Sequence, residues 1–126
     1  MAIYYRKPAA DRKELPIYDN FAVRKKVDYL YVPQEFGGDF CLVITGAGRE
    51  DEYRIRPGDI AIIQEKGLIA PERPSVFANS RKALYATAWR DEDGKLNYIP
   101  IHPINATIIK PADSYIGAVV AILRKM

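Results

Sequence analysis

The chain has 126 residues, 48% apolar and 28% charged, with a net charge of +3; this excludes global disorder and leaves room for one domain with its own core. A single cysteine excludes an internal disulfide, and no apolar run approaches the about 18 residues that a membrane-spanning helix needs. The opening MAIYYRKPAADRKE lacks the apolar stretch of a secretory signal, so the expected location is the cytoplasm.

Residues 1–26 hold Arg6, Lys7, Arg12, Lys13, Arg24, Lys25 and Lys26 against Asp11, Glu14 and Asp19. They are expected to form a basic extended arm, with one helical turn around Ala9–Leu15 and a half-apolar stretch, Ile17–Val23, that could join a sheet edge. Such an arm is either a solvated flank or an attractor of phosphate or acidic protein. Residues 27–126 are expected to form the β domain. Across the whole chain, nine prolines and eight glycines separate β-branched and aromatic runs, a pattern of many short strands.

Val27–Val32 alternates and predicts a strand ended by Pro33. Phe40–Thr45 is almost wholly apolar and predicts a strand buried on both faces. Gly46-Ala47-Gly48 permits a sharp turn, because glycine alone tolerates positive φ without steric cost. A short strand Tyr53–Arg56, a Pro57-Gly58-Asp59 turn and a strand Asp59–Ile63 follow. Ser75–Asn79 and Ala83–Trp89 are strands. Asp91-Glu92-Asp93-Gly94 is a hairpin turn that returns the chain as Lys95–Ile101. His102–Asn105 turns again. Ser114–Arg124 is the last strand, with Gly117 a bend or bulge; Val119, Val120 and Ile122 argue for strand over helix.

Few of these residues carry chemistry. Cys41 lies in an apolar run, as an inert buried thiol does, and His102 has no sequence-evident partnership with it. Ser75, Ser80 and Ser114 lack a base at any telling spacing. Lys82 and Lys95 border turns, where solvated surface is the plain reading. Asp91-Glu92-Asp93 and Glu50-Asp51-Glu52 suit hydrated turns and exposed ion pairs, so neither a metal nor a cofactor is expected. Tyr4, Tyr5, Tyr29 and Tyr31 beside cations suit strand faces and interface packing. They could also stack on nucleic acid, but the sequence has no motif for reading it.

The order of signals resembles a known family. Gly46-Ala47-Gly48-Arg49, Gly58-Asp59-Ile60-Ala61-Ile62-Ile63, Ala83–Trp89, Pro103-Ile104-Asn105 and Gly117–Arg124 follow the succession seen in the C-terminal domain of the LexA and UmuD self-cleaving proteins and the phage repressors like them. Leu15-Pro16-Ile17 and Val32-Pro33 resemble that family's approach to its cleavage loop. The resemblance implies a compact, mainly β fold of short hairpins, LexA- or signal-peptidase-like, with little helix. It also implies a Ser nucleophile, a neutral Lys as base, and a homodimer formed through the last strand.

The chemistry of that family is absent here. Its Ser position falls on Gly48 and its Met on Arg49, and glycine has no side chain to attack a carbonyl. Its Lys would lie near Thr87, Ala88 and Arg90, where no Lys stands. A guanidinium stays protonated and cannot serve as the base. Its small-residue scissile bond corresponds best to Ala22-Val23, where the β-branched Val fits poorly.

The expectation is therefore a catalytically inactive domain that dimerises and binds a peptide or protein segment, as in a phage or bacterial transcription or SOS regulator. The groove would be lined by Gly46, Ala47, Gly48, Arg49, Ala86 and Ala88. The dimer would use Tyr115, Gly117, Val119, Ala121 and Leu123, and a repressor segment or the chain's own Tyr18–Lys26 would occupy the groove. Two alternatives stand beside it: an active Ser/Lys peptidase with rearranged residues, and a small basic nucleic-acid-binding protein. Nucleic acid as sole partner and a membrane are not expected.

Overall fold

A computed structural model describes residues 11–19, 25–44, 57–66, 73–79, 82–102 and 115–124. They contain eight strands and no helix: β1 (Arg12–Tyr18), β2 (Lys26–Pro33), β3 (Phe40–Val43), β4 (Ile60–Glu65), β5 (Ser75–Asn79), β6 (Lys82–Arg90), β7 (Leu96–His102) and β8 (Tyr115–Leu123). All belong to one mixed sheet of order β2-β1-β3-β4-β8-β5-β6-β7, in which only the β1–β3 pair is parallel. The fold is mainly β, as the run of short apolar segments predicts.

Burial on both faces of the central strands follows from their sequence. FCLV and IAII have no polar residue to turn toward water, so both sides of the pleat must be covered. Phe40, Leu42, Ala61 and Ile63 belong to one apolar cluster with Val76, Tyr85, Ile101 and Val119. Cys41 and Ile62 point the other way, into a second cluster with Leu15, Ile17, Leu30 and Val32. The β1–β2 hairpin therefore covers one side of β3–β4, while β5, β6 and β7 curl over the other. A third cluster forms around Phe77, whose ring stands edge-on to Tyr98 with centroids 4.9 Å apart.

The arm expectation fails for residues 12–18. Arg12–Tyr18 is a core strand between β2 and β3, with Leu15 and Ile17 each 2% exposed. The basic flanks hid an alternation of inward Leu15 and Ile17 with outward Glu14, which reaches Lys26 and Tyr31 on β2. Charge and apolar periodicity point different ways over this stretch, and the strand follows the periodicity. The helical turn expected around Ala9–Leu15 is strand from Arg12 onward, and the boundary drawn at residue 26 cuts through the β1–β2 ladder.

The expectation for Gly117 needs a smaller correction. The strand has two irregularities: one against β4, where Ile62 pairs with Ala121 and Ile63 with Val119, and one against β5, between Val76 and Phe77. Val120 and Ile116 are the extra residues. Gly117 serves a different purpose, because a Cβ there would run into the backbone carbonyl of Gln64 on β4. Gly58, by contrast, meets its expectation. Its φ of +91° fits the second corner of the Pro57-Gly58 turn, and its N–H donates to Ile44 O.

Candidate functional site

The Pro57-Gly58-Asp59 turn brings β4 back alongside β3, and Ile44 N–H donates to Asp59 O at 2.8 Å. The Asp59 side chain turns inward and is 2% exposed. The last strand ends beside it. Arg124 donates from Nε to Asp59 Oδ1 at 2.9 Å and from Nη2 to Oδ2 at 2.8 Å, a fork that matches both carboxylate oxygens. Two ends of the resembling motifs, the Asp after Gly58 and the Arg closing the last strand, thus meet 65 residues apart in sequence. Both residues lie within the quoted motifs. Their pairing was not legible, because nothing in the sequence says that β4 and β8 are neighbours.

Gly46, Ala47, Gly48 and Arg49, with the position expected to hold a lost nucleophile, lie outside the described residues, as do Ala22 and Val23. On β6, the matching strand for the base, Ala86 and Ala88 are buried at 0% and 3%, Thr87 is half-buried and Arg90 is exposed. Arg90 donates to Gly94 O across the hairpin turn. Ala86 faces Ser75 on β5, which in turn faces Ala118 on β8. These three small residues form a buried row on the face of Phe77 and Leu84. Ser75 Oγ has no hydrogen-bond partner among the described residues.

Cys41 is buried, and desolvation pushes its thiol up to about 12, far from a reactive thiolate at neutral pH. At the β6–β7 turn, Asp91 accepts the N–H groups of Asp93 and Lys95 and one from Asn97. These bonds, the Lys95 N–H foremost, hold its carboxyl below the usual range. Among the described residues no three His, Cys, Asp or Glu side chains are grouped to hold a metal ion. Among the described residues there is no helix long and apolar enough to cross a membrane.

The last strand is not an edge. β8 lies between β4 and β5, and its ladders hold Gly117–Leu123 against β4 and Tyr115–Ala118 against β5. Tyr115, Gly117 and Val119 therefore cannot offer free backbone to a second copy; Val119 N–H itself donates to Pro74 O at 2.8 Å. Its unbroken apolar sequence reflects a strand covered on both faces and flanked on both sides. Ala121 and Leu123 lie beyond the β5 ladder and are half-buried. Outside these expectations, Trp89 and Ile99 stand exposed on the β6–β7 hairpin. Residues 85, 87 and 89 share one face of β6, which passes from buried Tyr85 through half-buried Thr87 to exposed Trp89. No protein-family model matches the chain, and no curated protein matches it.

Proposed function

We propose that this chain is a binding scaffold with a LexA/UmuD-like fold and no peptidase chemistry. It would dimerise and hold an extended protein segment, in the manner of a phage or bacterial transcription regulator. The observation that supports this most is β6. Where the resembling family needs an amine, the strand carries two buried alanines and a half-buried threonine, and Arg90 beyond them points to its own turn. A Ser/Lys mechanism needs a neutral amine within hydrogen-bond reach of the hydroxyl. The buried hydroxyl opposite Ala86, that of Ser75, has no such partner among the described residues.

The proposed dimer contact would use Val120–Leu123, whose side away from β4 pairs with no described strand. Incubation of the purified chain at alkaline pH, followed by intact-mass spectrometry, tests the chemistry. The expected outcome is no cleavage near Ala22, and a concentration-independent cut there would overturn the reading. Sedimentation velocity tests the association. Wild-type protein should sediment as a dimer at micromolar concentration and Ala121→Asp as a folded monomer.

A further inference from the structure

Four large apolar side chains are exposed among the described residues: Val27 and Tyr29 on β2, Trp89 and Ile99 on the β6–β7 hairpin. The first pair is partly used within the chain. Tyr29 stands edge-on to Tyr31 and lies 5.2 Å beneath Lys26 Nζ. The irregularity between Ile17 and Tyr18 on β1 leaves Val27 as the extra residue of β2, and such a bulge twists an edge away from further pairing.

The second pair is better placed to receive something. Thr87 pairs with Ile99, and Trp89 with Asn97, so all four share one face of the hairpin. That face is continuous with buried Tyr85, so the surface that lines the core runs on past the core into solvent. Trp89 is 45% exposed and Ile99 is 37% exposed. Together they offer on the order of 200 Å² of apolar surface. A stable contact between two folded proteins takes about 800 Å² from each, so this ledge is too small for a second copy. It matches one or two side chains.

The backbone beside the ledge supplies what the ledge lacks. β7 ends the sheet, and its outer side pairs with no described strand. Pro100 has no N–H, and the register shift between Tyr85 and Ala86 leaves Ile101 as an extra residue, so the regular part of this edge is Leu96–Ile99. The adjoining turn is held rigid by the Asp91 carboxylate, which faces inward, while Glu92 and Asp93 face water. Three carboxylates against Arg90 and Lys95 leave the tip negative.

We propose that the β7 edge takes an extended peptide segment by strand addition. A bulky apolar side chain would seat on Trp89 and Ile99, and a Lys or Arg would sit toward Glu92 and Asp93. This surface is separate from β8 and from the β6 face that carries Ala86 and Ala88. Loss of the dimer, or cleavage at alkaline pH, would leave it untouched.

Trp89 is the only tryptophan, so its emission reads the ledge directly. The full chain is titrated with acetyl-Lys-Val-Leu-Val-Lys-amide to about 1 mM. A saturable blue shift is expected. The Glu-Val-Leu-Val-Glu analogue should bind at least about 5-fold more weakly, from charge alone. A peptide with Pro at its centre should give no shift, because strand addition needs the backbone donor. Ile99→Thr keeps a β-branched residue on an exposed site and should weaken binding by a similar factor. No shift with the basic peptide, equal shifts with the acidic one, or an unchanged titration in Ile99→Thr would each overturn the proposal.

Discussion

Replacing Arg124 by Ala tests how the end of the sheet is held. The Asp59 carboxylate is 2% exposed and takes two bonds from one guanidinium, whose side chain is 35% exposed. Removing the cation takes the bidentate partner away from a buried negative charge. For fully buried pairs that loss is about 3–5 kcal/mol. Arg124 is one-third in water, and water can enter the space it leaves, so about 2–4 kcal/mol is expected here. In urea this is a midpoint shift of about 1–2 M, with little change in slope.

Asp59→Asn should cost less than Arg124→Ala, since a neutral amide is left where a charge would have been and the Arg124 guanidinium already reaches solvent. Arg124→Lys should fall between wild type and Arg124→Ala, because an ammonium keeps the charge but cannot fork onto both oxygens. Urea unfolding followed by circular dichroism measures all three. If Arg124→Ala cost under about 1 kcal/mol, or less than Asp59→Asn, the pair would be an ordinary surface contact and the reasoning would fail.

Two further predictions concern the interior. Gly117→Ala should abolish soluble expression or lower stability by more than about 3 kcal/mol. The new methyl meets the Gln64 carbonyl and stands 3.0 Å from Ile63 Cγ2, and a backbone obstacle in mid-ladder cannot rotate away. Wild-type stability in a thermal melt would refute it. Cys41 makes stability fall at high pH: its folded thiol is raised to about 12 while the unfolded thiol ionises near about 8.5, so above that pH the unfolded chain binds fewer protons. The loss should deepen between about pH 9 and 12 and be smaller in Cys41→Ala, once each protein is compared with itself at pH 7. Identical pH slopes for the two would remove the cause.

The sequence announced most of the strands, and the reasons are local. Phe40–Thr45, Ser75–Asn79 and Ala83–Trp89 were legible because β-branched and aromatic residues fit a pleated, buried surface and glycine or proline bounds them. The Asp93-Gly94 hairpin was legible because glycine supplies the positive φ, +80°, that the turn needs. Neighbour relations were not legible. VVAIL is equally apolar in an edge strand seeking a partner and in a central strand that already has two, and only the ladders distinguish them. β1 was obscured by its flanking charges. On the β6 face Ala86 and Ala88 were singled out from the sequence, but Ser75 opposite Ala86 could not be placed there before the register of β5 was known.

Because β8 joins β4 to β5, the eight-stranded sheet is a bridge whose keystone is the last of its strands in chain order. Until residues 115–124 leave the exit tunnel, β1–β4 and β5–β7 are two separate blocks, each with an unfilled margin. Until then both margins are open to wrong pairing, and chaperone dependence during translation should exceed anything the finished molecule requires. A split between residues 103 and 114, with the two pieces co-expressed, should let the C-terminal fragment drop into the gap.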